Sequence, residues 1–138
     1  MSGVRADVLA SALDSQLGGT PIDPATLFTD DVVGWSPIAT ISGLEDLAPG
    51  TSARDIAFSN VEVLFRGVDE VGNKAVAEWL VECDHTGPFD LGDGASVDAT
   101  GRHVVLAGVT VAEFRGDKIR AFRSYFDEVT LLEQIVDA

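Results

Sequence analysis

The chain has 138 residues, 46% of them hydrophobic, and a formal net charge of −14. That length suits a single domain over residues 1–138 that buries roughly two thirds of the surface its unfolded form exposes, and the composition is globular rather than disordered. So much acid excludes nucleic acid as a partner through phosphate repulsion, and no run reaches the ~18–20 apolar residues that would cross a bilayer.

The first segment, Val4 to Leu17, spaces Val4, Val8, Leu9, Ala12, Leu13 and Leu17 at helical intervals, and Gly18-Gly19 ends it. Asp7 and Asp14 interrupt any export signal here, so a cytoplasmic protein is expected. Asp23-Pro24 predicts a short helix over Pro24 to Phe28, with Asp23 as N-cap and Pro24 at the first helical position. Asp30-Asp31 reads as turn and solvent charge before a short strand, Val32 to Trp35. A third helix is expected from Gly43 to Ala53, weakened by Pro49-Gly50.

From Asn60 the apolar period becomes that of strands. Val61 to Phe65 runs to a turn at Asp69 to Asn73. Lys74 to Asp84 returns, with Ala77, Trp79, Val81, Cys83 and His85 on one face. Cys83 is the only cysteine, which excludes an intrachain disulfide and a cysteine-based zinc site; it reads as a small core residue. Gly87 to Thr100, rich in Gly and Asp, reads as a long loop that serves as a mobile flap. Two long apolar strands follow, His103 to Phe114 and back to Phe126, joined through Gly116-Asp117 in a tight hairpin with Gly first. A helix from Glu128 to Ile135 closes the chain. Helices first and antiparallel strands afterwards imply an α+β domain with helices on one side of a sheet.

Several side chains carry candidate chemistry. Asp127 shares a strand face with Tyr125 and Arg123, and a buried aspartate needs a task or a partner. Asp127 also directly precedes Glu128-Val129-Thr130, where it would cap the helix. His85 stands at a strand end before the flap, placed to polarise a substrate oxygen or relay a proton, or to bond the loop backbone at Thr86-Gly87. The other histidine, His103, falls at the opposite end of its strand, so no metal is expected. Trp35, Trp79 and Tyr125 supply flat walls for a substrate pocket or for plain core packing. Arg123 would bind an anionic substrate group if it points inward and act as a surface or dimer residue if outward. Arg102 is expected to tie down the flap through Asp98 or Asp93.

The order of Trp79, His85-Thr86-Gly87, Thr100-Gly101-Arg102, Gly116-Asp117-Lys118-Ile119, Tyr125-Phe126-Asp127 and Leu131-Leu132-Glu133-Gln134 resembles the SnoaL-like branch of the nuclear transport factor 2-like superfamily. The resemblance covers nearly the whole chain and is tightest from Trp79 onward. It implies a cone-shaped α+β barrel, a curved antiparallel sheet wrapped around N-terminal helices, with an apolar cavity and a homodimer formed through the outer sheet face. It also implies a cofactor-independent cyclase or isomerase acting on an apolar cyclic or polyketide-like carbonyl compound. Asp127 matches the position of the cyclases' acid/base aspartate, with His85 or Tyr125 assisting at the oxygen. A hydrolase or dehydratase on the same scaffold, and a non-catalytic ligand-binding or dimerisation module, are the alternatives. Tyr125 is the only tyrosine, so a ketosteroid-isomerase mechanism with a tyrosine on the first helix is not expected. The epoxide-hydrolase pattern of two aspartates about an arginine lacks a partner, because Asp84 alternates onto the wrong strand face.

Overall fold

The structure, a computed structural model, describes residues 3–37, 39–47, 56–92 and 94–136. The apolar spacing of the first segment forms helix α1, Val4–Gln16, which buries Ala6, Leu9, Ala12 and Leu13. It ends one residue before the predicted Leu17. Gly18 takes φ +103°, a left-handed conformation that suits glycine, and the Leu17 N–H donates to Leu13 O at 2.8 Å. Asp23 caps the one-turn helix α2, Pro24–Leu27, by accepting from Ala25 N at 3.1 Å.

Strand β1, Phe28–Ser36, is longer than expected and takes in Asp30 and Asp31. Asp31 forms a two-point ion pair with Arg115 at 3.1 and 3.2 Å. A short strand that the sequence did not announce, β2, Ala39–Ser42, folds back on β1. A 3-10 turn, Leu44–Leu47, stands where the third helix was expected to begin; residues 48–53 of that helix lie outside the described residues. Strands β3, Phe58–Val71, and β4, Lys74–His85, form a long hairpin. The predicted flap holds a two-stranded hairpin of its own, β5, Phe89–Gly92, and β6, Ala95–Val97. Strands β7, His103–Arg115, and β8, Lys118–Phe126, follow, joined by a turn in which Gly116 has φ +62°. Helix α3, Glu128–Val136, completes the fold.

The main sheet has the order β2-β1-β8-β7-β4-β3. Every neighbouring pair is antiparallel except β1 and β8, which run parallel. Helix α1 packs against β3, β4 and β8, and α3 against β7, so the inner face and the helices enclose one core. This is the expected α+β cone, its sheet bent by β-bulges in β3 and β8. Among the described residues no helix is long and apolar enough to cross a membrane.

The bulge in β8 decides which side chains reach the interior. Phe114 pairs with Ile119 and Glu113 with Ala121, so Arg120 is an extra residue and the inward parity reverses after it. Ile119 points inward, as do Phe122, Ser124 and Phe126; Ala121, Arg123 and Tyr125 point out. Strand β8 stops opposite Gly108, which leaves the first turns of β7 without a neighbouring strand on that side. There the Gln134 side chain of α3 takes the strand's place. It accepts from Val105 N and donates to Val105 O, both at 2.8 Å.

Candidate functional site

Between the inner sheet face and the helices lies a cavity of about 550 Å³. Its walls are apolar: Leu13 and Leu17 from α1, Val81 and Cys83 from β4, Val104 and Leu106 from β7. Phe58, Phe89, Phe122 and Phe126 add aromatic surface, which suits a mostly apolar ligand. Polar groups are few, and three are carboxylates on separate elements: Asp46 on the 3-10 turn, Asp90 on β5 and Glu128 at the start of α3. Asp46 also accepts from Ser42 N at 2.8 Å, which fixes the turn. The β5–β6 hairpin thus contributes Phe89, Asp90 and Leu91 to the cavity.

Behind Phe126 stands Trp79, 1% exposed, with ring centroids 6.2 Å apart. Its bulk fits because the residue opposite it on β7 is Gly108, where a Cβ would collide with the indole ring. The Trp79 indole N–H donates to Thr110 Oγ1 at 3.0 Å, and Thr110 Oγ1 lies 2.8 Å from Ser124 Oγ. Ser124 itself lines the cavity.

The residues singled out in the sequence divide among three places. Trp35 borders the cavity but packs in a tilted contact against Tyr125 on the outer side, centroids 5.5 Å apart, and both are exposed. Arg123 also points outward, where its Nη1 donates to Glu113 Oε2 at 3.2 Å; the neighbouring Glu113 carboxylate raises its pKa. Asp127 is exposed and caps α3. Its carboxylate accepts from Val129 N at 2.9 Å, Thr130 N at 3.3 Å and the Thr130 hydroxyl at 2.9 Å. Those bonds, Thr130's first, hold its pKa below the ordinary 3.8. None of Asp127, Arg123, Tyr125, His85 and Trp79 is part of the cavity lining.

His85 is fully buried beside Phe58, with ring centroids 5.5 Å apart. Its Nδ1 accepts from Thr100 N at 3.3 Å and lies 2.9 Å from Thr100 Oγ1. An accepting Nδ1 puts the proton of the neutral ring on Nε2, which has no hydrogen-bond partner among the described residues. Burial pushes its pKa below 6.5, with the Gly87 backbone opposing. His85 thus clamps the end of the flap through Thr100, while the Gly87 backbone, anticipated with Thr86 as its partner, also acts on the ring. Arg102, expected to bind Asp98 or Asp93, instead donates to Gln134 O at 3.3 Å, tying the flap's end to α3; Asp93 lies outside the described residues. Asp84 is on the outer face, as its alternation predicted, and bonds Asn60 and His103.

Phe122, Ser124, Phe126, Asp90 and Glu128 were not singled out in the sequence. The first three alternate with Arg123 and Tyr125, so the signal was present and only the bulge hid which set faces inward.

A family model described as SnoaL-like polyketide cyclase matches residues 21–135. The chain belongs to that family. Its SnoaL-like fold recurs in solved structures. A candidate SnoaL-like polyketide cyclase from Jannaschia sp. CCS1 superposes with a TM-score of 0.80 at 17% identity, over 98% of this chain and 93% of that one. TsrD from Streptomyces laurentii gives 0.78 at 16%, over 98% and 96%. An LEH-like epoxide hydrolase from M. tuberculosis gives 0.67 at 14%, over 96% and 85%. At these identities the likeness is one of fold. Comparison with curated proteins finds no sequence match.

Proposed function

We propose that this SnoaL-like protein binds a mostly apolar, cyclic or polyketide-like carbonyl compound in its cavity and performs cofactor-independent acid–base chemistry of the cyclase or isomerase type on it. The observation that carries the reading is the cavity, large enough for a polycyclic ligand, walled by aromatic and aliphatic groups and bordered by carboxylates. Removing a proton alpha to a carbonyl needs a carboxylate within reach of the bound ligand. Asp90 and Glu128 border the cavity. Asp127, the proton carrier implied by family resemblance, would have to leave its capping hydrogen bonds to act there. A homodimer through the outer sheet face belongs to the same proposal: Val33, Trp35, Leu64, Val76, Val105 and Tyr125 are all exposed. So does a cytoplasmic location.

One specific observation favours a second reading, a non-catalytic ligand-binding module: Asp127 is occupied as a helix cap and kept as the anion. Deuterium uptake separates the two. A panel of cyclic ketones in D2O reports proton abstraction alpha to the carbonyl by NMR without knowledge of the product. Uptake abolished by Asp90→Asn or Glu128→Gln supports catalysis at the cavity wall. Loss in Asp127→Asn alone, with the fold intact, assigns the proton to Asp127. Ketones that bind without uptake above the buffer rate leave the binding role in place.

A further inference from the structure

We infer that Ser124 donates a hydrogen bond to a carbonyl oxygen of the bound ligand, oriented by a relay that starts at Trp79 and passes through Thr110. This rests on the cavity being the ligand site. The direction of the relay follows from counting protons. An indole N–H can only donate, so Thr110 Oγ1 accepts from Trp79 Nε1 at 3.0 Å. Thr110 Oγ1 is also 2.8 Å from Ser124 Oγ, and each hydroxyl has one proton. Thr110 is 1% exposed, and its side-chain hydrogen bonds run to Trp79 and Ser124. If Ser124 donated to Thr110, the Thr110 proton would be buried without an acceptor. Thr110 therefore donates to Ser124, and the Ser124 proton is left for the cavity that Ser124 lines.

Each donated bond polarises the next hydroxyl, so the terminal serine is a stronger donor than an isolated one. It stands between Phe122 and Phe126 on the inward face of β8, with an aromatic ring on either side along the strand. A donor fixed before the ligand arrives suits charge that develops on a carbonyl oxygen during proton abstraction. The ligand class selected is a flat apolar ketone with its oxygen towards β8.

The probes are 2-acetylnaphthalene and 2-ethylnaphthalene, which lacks the oxygen. Ser124→Ala is expected to weaken the ketone about three- to tenfold, the range of a single hydrogen bond, and to leave the hydrocarbon's affinity unchanged. Infrared difference spectra should place the bound carbonyl stretch at lower wavenumber in the wild type than in Ser124→Ala. Ser124→Cys, a weaker donor, serves if the alanine variant does not fold, with the same direction of shift. Thr110→Val keeps the side-chain shape and breaks the relay; the stretch should move part of the way back, and Thr110→Ser should restore it. A graded, rescuable shift is not what a purely structural threonine produces. An unchanged stretch and ketone affinity in Ser124→Ala, with 2-ethylnaphthalene still bound, overturns the inference and leaves the cavity reading standing. A stretch that responds to Ser124→Ala but not to Thr110→Val overturns the relay. Binding of neither naphthalene to the wild type overturns both the inference and the cavity reading.

Discussion

Two histidines titrate in opposite directions because of where the sheet places them. His103, on the outer face, has Nε2 3.1 Å from Glu82 and Nδ1 3.1 Å from Asp84. Both nitrogens can donate only in the imidazolium, so Glu82 first and Asp84 next raise its pKa above 6.5. The folded chain then holds that proton more tightly than the unfolded one. The contribution to stability is full below pH 6.5 and is lost as pH rises through the raised value. For His85 the sign reverses: its contribution is present above pH 6.5 and lost as pH falls through the lowered value. Proton NMR is expected to give two imidazole curves, one on each side of 6.5, with the higher one absent in His103→Gln; coincident curves would contradict both placements. Asp127 follows the carboxylate rule. Its cap contribution is present above pH 3.8 and lost as pH falls through the lowered value. Asp127→Ala should therefore melt below the wild type at neutral pH, with the gap closing in strong acid. A gap that persists there would mean that the cap works through packing rather than charge.

Strands make the interior, and one extra residue redistributes it. Alternation in β4 is read directly from the sequence, and the strand buries every second side chain along its length; β7 does the same, but its apolar residues on both faces hide which set is buried. The Gly116-Asp117 turn and the Asp23-Pro24 helix start are equally legible, each being a local choice of backbone conformation. The bulge at Arg120 is not, since no residue type demands it. It reverses the parity of β8, so Arg123 and Tyr125, predicted beside a pocket, face out, and Phe122, Ser124 and Phe126 face in. The β5–β6 hairpin did have a marker, since Asp93-Gly94 is a hairpin-turn dipeptide inside the flap. Gly108 shows how closely these elements fit. A methyl group there would overlap the Trp79 ring, so Gly108→Ala is expected to cost about 1–3 kcal/mol in urea unfolding, the range for overpacking. Wild-type stability in that variant would mean that the indole has room to move.

The parallel pairing of β1 with β8 joins residues about ninety positions apart, and such long-range contacts leave no local signal in a sequence. That pairing brings Trp35 and Val33 alongside Arg123, Tyr125 and Ala121, and so assembles an exposed outer patch with aromatic and aliphatic members. If a second copy covers it, Val33→Asp with Tyr125→Asp should convert a two-chain species to one chain in light scattering while leaving the cavity intact. A net charge of −14 opposes association, so the dimer should tighten as salt screens it. A one-chain mass for the wild type at every salt concentration would remove the proposal. Gln134 bears on a different kind of association. By pairing its amide with both polar groups of Val105, it closes a stretch of strand that β8 does not reach. An open ladder beside exposed Val105 would be a template for amyloid-like stacking of chains. Gln134→Leu is therefore expected to shorten the lag before fibrils form, and an unchanged lag would mean that this edge is protected by other means.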